Sequence, residues 1–286
     1  MGNVENETRF ILKKYNISAN KSLGQNFLID DTVVDGIVEA ANVNSQDLVI
    51  EIGPGLGTLT SKLLEKAGKV VAIELDERML AILNDRFSLY NNFEVIHQDI
   101  LKTNLDKLID EQKQKYNLKS VKVVANLPYY ITTPIIMKLL EDRLNIESIT
   151  VMVQKEVAQR LTATLPSKLA GAITYSINYY CEAEEKIEVQ KECFIPSPDV
   201  NSAVIKLTLR NKPLVKVNDE QILFKLIKSS FMQRRKTLIN GISNANIASK
   251  EEIKKILNKL EIEENVRGES LTLEQFAEIS NLLSNM

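Results

Sequence analysis

Four short groups of residues carry side chains or backbone able to do chemistry, and each follows a short apolar run. Gly53-Pro54-Gly55-Leu56-Gly57 comes after Asp47–Ile52. Glycines in such a place permit a tight turn and close approach of the backbone to a ligand. Glu74 stands 21 residues beyond Gly53 and ends the run Lys69–Glu74. A carboxylate at that point can accept both hydroxyls of a ribose. Asp99 follows the run Phe93–His97 and offers a second acceptor, suited to an adenine amino group. Asn126-Leu127-Pro128-Tyr129 follows Ser120–Ala125 and combines a side-chain amide, a backbone fixed by proline and an aromatic face. His97, next to Asp99, reads as a strand residue near the site, and no general base is evident.

The elements that must position these groups follow from the apolar pattern. Asp47–Ile52, Lys69–Glu74, Phe93–His97, Ser120–Ala125 and Ile149–Val153 read as strands. Thr58–Ala67 and Asp76–Leu89 between them have apolar residues at helical spacing. Strands alternating with helices imply a parallel sheet covered on both faces, which binds ligands at the carboxyl ends of its strands. After Pro198 comes one more strand, Ser202–Leu209, and then Asn211-Lys212-Pro213 breaks the pattern. Helical segments are predicted at Asp219–Phe231, Arg235–Ile242, Lys250–Leu260 and Thr272–Leu283. The fold class is therefore α/β, with an α/β domain over 1–210 and a small all-helical domain over 211–286.

The glycine spacing is G-x-G-x-G, one place short of the dinucleotide fingerprint, which argues against an NAD-dependent oxidoreductase. The loop resembles the first motif of S-adenosylmethionine-dependent methyltransferases, in which an acidic residue precedes the glycines. Asn126–Tyr129 resembles the N-P-P-Y-type motif of methyltransferases that act on adenine amines. Such an amine is a poor nucleophile, because its lone pair is delocalised into the ring. Acceptors at the Asn126 side chain and the Leu127 carbonyl would bind its two N–H groups and favour a pyramidal nitrogen. Pro128 would aim that carbonyl, and Tyr129 would stack on the base.

Lys21–Leu28, Phe194–Ser202 and Phe231–Leu238 complete a resemblance to one family, the bacterial small-subunit rRNA adenine N6,N6-dimethyltransferases. The motifs run in family order over more than two thirds of the chain. The resemblance implies a Rossmann-like domain and transfer of four methyl groups from S-adenosyl-L-methionine, two to each of two adjacent adenosines near the 3′ end of 16S rRNA. The partner implied is the nearly assembled small (30S) ribosomal subunit, with a role in late assembly. It further implies that Asn26, Leu28, Gly53, Gly55, Glu74 and Asp99 hold the cofactor and that Asn126 bridges cofactor and target. Phe194 would wall the target pocket opposite Tyr129. Gln25–Phe27, in basic surroundings, fits a segment folded over the cofactor. Two other readings compete: a 23S rRNA dimethyltransferase of the macrolide-resistance type, and a non-catalytic subunit-assembly factor.

The chain has 286 residues, 44% hydrophobic and 26% charged, enough to bury a core without staples. Its net charge of −2 conceals local clusters. From Asn201 to Ala248 there are nine Lys or Arg against two acids, including Arg234-Arg235-Lys236 at a predicted helix start. From Arg9 to Phe27 there are four basic residues and no acid. Dense local charge of this kind points to phosphate contacts. Two cysteines and one histidine exclude a disulfide framework and a Cys/His zinc site, so no metal is expected. No apolar run approaches a membrane span, and Met1–Arg9 is polar and mixed in charge, unlike a secretory signal. The expectation is a cytoplasmic monomer.

Overall fold

Val4, Thr8 and Ile11 recur at helical spacing and are buried, which makes Asn3–Lys14 the amphipathic helix α1. The short strand β1 (Phe27–Leu28) and helix α2 (Asp31–Ala41) come next. Asp30 caps α2 by accepting from the Val33 N–H at 3.0 Å. The protein then alternates: β2 (Asp47–Ile52), α3 (Thr58–Leu64), β3 (Lys69–Glu74), α4 (Glu77–Phe87), β4 (Phe93–His97), α5 (Leu105–Tyr116), β5 (Ser120–Asn126), α6 (Thr132–Glu141), β6 (Ser148–Gln154) and α7 (Lys155–Leu161). The computed structural model describes residues 2–20, 23–233 and 235–285.

All six residues of β2 and all six of β3 are buried, the pattern of strands covered on both faces. After helix α8 (Ala172–Tyr180) come β7 (Cys181–Val189), β8 (Phe194–Ile195) and β9 (Ser202–Leu209). The seven-stranded sheet runs β4-β3-β2-β5-β6-β9-β7. Its pairs from β4 through β6 are parallel, and β9 joins β6 antiparallel, Ser148 opposite Thr208. The chain winds outward from β2 to β4 and then crosses back to β5, so the strand order reverses between β2 and β5. At such a reversal the loops beyond the strand ends part and leave a crevice. A second, two-stranded sheet pairs Leu28 with Phe194 and Phe27 with Ile195.

Residues up to Ala158, together with Ala183–Leu209, form one compact unit. Gln159–Glu182 joins Arg210 onward in a second unit. The second unit thus includes Gln159–Glu182, a stretch that the sequence assigns to the α/β domain. The reason is packing: Tyr175 and Tyr179 of α8 are buried in the core of that unit. The Tyr175 ring meets Phe231 and Phe276 at centroid distances of 5.4 and 5.0 Å. Four further helices make up the rest: α9 (Glu220–Met232), α10 (Leu238–Asn244), α11 (Lys250–Lys259) and α12 (Leu273–Ser284). Ser249 with Glu252 and Thr272 with Gln275 close capping boxes on α11 and α12. No helix among the described residues is long and apolar enough to cross a membrane.

Candidate active site

An open cleft of about 1190 Å³ lies at the carboxyl ends of β2, β3 and β5. The turn after β2 forms one wall. Gly53, Gly55 and Gly57 all have positive φ, which an L side chain adopts only under strain. A Cβ on Gly53 would meet nothing within 4 Å, so this backbone faces open space that a ligand can occupy. A Cβ on Gly57 would lie 2.5 Å from the Phe87 ring, so glycine there admits the packing of α4. Arg86 of α4 braces the loop from behind. Its guanidinium donates to the Leu56 carbonyl and, at 2.6 Å, to Glu7 of α1.

Glu74 ends β3 and lines the cleft. Its carboxylate accepts from the backbone N–H of Leu75 and of Asp76, both at 2.8 Å, and of Gly55 at 3.1 Å. These bonds fix both oxygens and leave one acceptor site, on Oε2, for a ligand's hydroxyl. Burial raises its pKa and the three N–H groups oppose that shift. Asp99 also lines the cleft, half-buried, and accepts from the Leu101 N–H at 2.9 Å. His97 is exposed, 3.1 Å from the Leu75 carbonyl, and stands outside the cleft lining.

Asn126 ends β5, and its side chain donates at 3.4 Å to the Asn26 carbonyl. Leu127 is buried, with its N–H donating to the Met152 carbonyl at 3.3 Å. The Tyr129 and Ser202 hydroxyls lie 2.7 Å apart. Leu23–Leu28 covers the cleft, with Asn26 and Leu28 in its lining. Of the expected site residues, Asn26, Leu28, Gly53, Gly55, Glu74, Asp99 and Asn126–Tyr129 therefore surround one cleft.

Phe194 does not join them. Its ring is 3% exposed and belongs to the core beneath. β8 pairs with β1, setting Phe194 opposite Leu28, and the cleft lining itself takes its aromatic faces from Tyr129 and the 59% exposed Tyr130. Arg234 lies outside the described residues, as do Lys21 and Ser22 of the N-terminal motif. Arg235 and Lys236 are exposed, but they precede α10 in the connection from α9 and do not start a helix. The basic residues from Lys206 onward are divided between the two units. Lys206 belongs to β9 in the first unit, and Arg210 is held by Glu182 at 2.8 Å and the Cys181 carbonyl at 3.1 Å. The sequence pattern does not mark Tyr130, which lines the cleft, or Arg86, which braces the glycine loop; only Tyr130 has a signal, lying beside a motif residue.

The ribosomal RNA adenine dimethylase family matches residues 16–285. The chain belongs to that family. A small-subunit rRNA methyltransferase A from Bacillus pumilus is 50% identical over 279 residues, covering 96% of this chain and 95% of the relative. One from Clostridioides difficile is 46% identical, covering 98% and 96%. Among solved structures, a dimethyladenosine transferase from Plasmodium falciparum is 27% identical with a TM-score of 0.74, covering 88% of this chain and 95% of that one. The 23S rRNA methyltransferase ErmE shares the fold at a TM-score of 0.69 and 24% identity, covering 91% of this chain and all of that one. Membership bears out the Rossmann-like methyltransferase fold and the expectation of an enzyme that dimethylates rRNA adenine. For a dimethylase the cleft offers two acceptor centres, Glu74 and Asp99, together with the Asn126–Tyr129 turn.

Proposed function

We propose that the protein dimethylates the N6 amines of two adjacent adenosines near the 3′ end of 16S rRNA, within the small ribosomal subunit, using S-adenosyl-L-methionine. The observation that carries this reading is the convergence of Asn126, Leu127 and Tyr129 with Glu74 and Asp99 on one cleft. Relatives 46–50% identical and named for the small subunit favour that substrate over 23S rRNA.

The residues present fit the cofactor. Gly53 leaves open space for close backbone approach, and Glu74 is fixed by three N–H groups with acceptor capacity to spare. Glu74 would hold the ribose and Asp99 the adenine, with Asn26, Leu28, Gly53, Gly55 and Asn126 contributing further contacts. Bound there, the cofactor supplies an electrophilic methyl group. The chain's task is then to present the amine. The Asn126 side-chain oxygen and the Leu127 carbonyl accept its two N–H groups, which turns the nitrogen lone pair outward. Tyr129 stacks on the target base, which must leave its RNA stack to reach this point. Positioning of this kind supplies most of the rate without a general base. Arg234, Arg235 and Lys236, with Lys225 and Lys228, would hold phosphates. The protein would work in the cytoplasm as a monomer and take part in late subunit assembly.

The test uses small subunits from a strain lacking the gene, purified protein and radiolabelled S-adenosylmethionine. About four methyl groups are expected on two adjacent 16S adenosines, and Asn126→Ala should lower the single-turnover rate at saturating cofactor by roughly 100-fold or more while S-adenosylmethionine still binds. Label in 23S rRNA instead would overturn the small-subunit assignment. Subunit binding with no label in either rRNA would make the protein an assembly factor.

A further inference from the structure

The segment Leu23–Leu28 covers the cleft, and two sets of contacts hold it there. On one side β1 pairs with β8, and Asn126 reaches the Asn26 carbonyl. On the other side the Gln25 side chain donates to Asp76 Oδ2 at 2.9 Å, while its own oxygen accepts from the Asn20 N–H at 2.9 Å. Asp76 is nearly buried and serves three neighbours at once. Its backbone N–H donates to Glu74, its carboxylate accepts from the Arg78 guanidinium, and it takes the Gln25 amide. Arg78 also reaches the Ser18 carbonyl at 3.5 Å, upstream of the same segment. The residue that fixes the ribose carboxylate thus also fixes the cover.

We propose that Gln25 and Asp76 form a latch that sets how fast the cofactor and its demethylated product exchange through the Leu23–Leu28 cover. Both are positioning residues and neither touches the reacting atoms. The proposal rests on the cofactor reading above. Dimethylation of one amine consumes two cofactor molecules, so the cleft must be emptied and refilled between transfers. Lifting the cover breaks the bond from Gln25 to Asp76, a hydrogen bond to a charged group and therefore one of the stronger contacts available. The β1–β8 pairing is only two residues long and supplies the opposite, hinge-side attachment.

The test reverses the donor and acceptor. Gln25→Glu sets a second carboxylate against Asp76 and opens the latch. Adding Asp76→Asn restores a donor facing Glu at position 25; the remaining oxygen still accepts from the Arg78 N–H and Nε, and the Arg78 Nη2 that loses its acceptor turns to the new Glu carboxylate. Dissociation of S-adenosylhomocysteine, followed by stopped flow, is expected to speed up about tenfold in Q25E. The double variant should return to within about threefold of the parent. The single-turnover rate of preloaded Q25E should stay within about threefold of the parent, because the chemistry is untouched. Unchanged dissociation in Q25E overturns the latch. Hydrogen exchange reads the same contact with no cofactor present: peptides covering Leu23–Leu28 should exchange faster in Q25E and slow again in the double variant. Equal exchange in all three proteins overturns the latch by itself. If the parent fails to bind S-adenosylmethionine, the cofactor reading falls, and exchange still decides whether Gln25 and Asp76 hold the cover. Gln25→Ala serves as the second variant should Q25E fail to fold.

Discussion

The Tyr129 hydroxyl sits 2.7 Å from that of Ser202, so the turn after β5 is tied to the first residue of β9. Two sequence motifs more than seventy residues apart meet in this one contact. Burial raises the phenol's pKa, which keeps it protonated and able to donate. Ser202→Ala leaves the phenol without this partner and should cost about 1–2 kcal/mol of stability. It should lower the methylation rate at saturating cofactor while leaving cofactor affinity unchanged, because only the target side loses a support. Tyr129→Phe removes the same bond, so the double variant should lose little more than either single one. Single-turnover rates and urea unfolding of all three variants test this. Fully additive losses would show that the two hydroxyls act independently.

Glu51 gives a pH dependence of known sign. Its carboxyl is 1% exposed and accepts from the Thr60 hydroxyl at 2.6 Å. Burial pushes its pKa up to about 8 from an ordinary value of 4.5. Between those two values the unfolded chain ionises this group and the folded chain does not. The folded state then binds more protons, so stability falls as pH rises, by up to about 1.4 kcal/mol per pH unit. The contribution is fully present below the unfolded value and is lost by the time pH passes the folded one. Glu51→Gln removes the titration and keeps an acceptor for Thr60. Its stability loss between pH 5 and 8 should be smaller than the parent's by at least about 2 kcal/mol. Denaturant unfolding at both pH values decides the matter, and equal slopes would reject the assignment.

Gly53 and Gly57 separate ligand approach from packing. Both have positive φ, so alanine at either costs about 1–2 kcal/mol of backbone strain. Gly57→Ala also drives a methyl to 2.5 Å from the Phe87 ring, adding about 1–3 kcal/mol. Gly53→Ala meets no protein atom within 4 Å, and its methyl projects into open space at the cleft. The expected outcome is a crossed pattern. Gly57→Ala loses more stability, and Gly53→Ala loses more cofactor affinity relative to its stability loss. Unfolding curves and equilibrium binding of S-adenosylmethionine measure the two. The same ranking in both measurements would reject the division of labour.

Much of the site is legible in the sequence because it sits at the ends of short strands, β2 and β3 buried on both faces and β4 half-exposed at the edge of the sheet. Asp47–Ile52, Lys69–Glu74 and Phe93–His97 are continuous runs whose predicted bounds match β2, β3 and β4. Their ends announce Gly53, Glu74 and Asp99. What the pattern does not carry is which core an apolar residue enters. Tyr175 and Tyr179 read as ordinary helix residues, and only packing assigns them to the second unit. Phe194 meets the same limit: a strand-end aromatic can face a cleft or a core, and only the folded chain shows it 3% exposed among the apolar residues of the first unit. The bond from Arg86 to Leu56 joins residues thirty apart, from a helix whose charged positions look like any solvated face.

The basic residues of the second unit give a prediction about salt. Lys225 and Lys228 are exposed and three residues apart on α9, so they share a face. Arg235 and Lys236 follow in the exposed connection to α10. None of these four side chains is needed to complete the core of that unit, whose buried members are apolar. Replacing Arg235 and Lys236 with alanine should therefore leave unfolding nearly unchanged. If each neutralises one rRNA phosphate, each loss removes close to one released counterion, and the slope of log affinity against log salt should fall by about 1 per residue. Adding Lys225→Ala and Lys228→Ala should take the slope down by about 2 more. The measurement is binding to unmethylated small subunits across a salt series, with cofactor affinity as the internal control. A weaker but parallel salt line would mean that the residues act on the shape of the unit and not on phosphate. An unchanged line would leave all four as a solvated face, and the phosphate contacts would have to come from the basic N-terminal stretch around Arg9, Lys13 and Lys14.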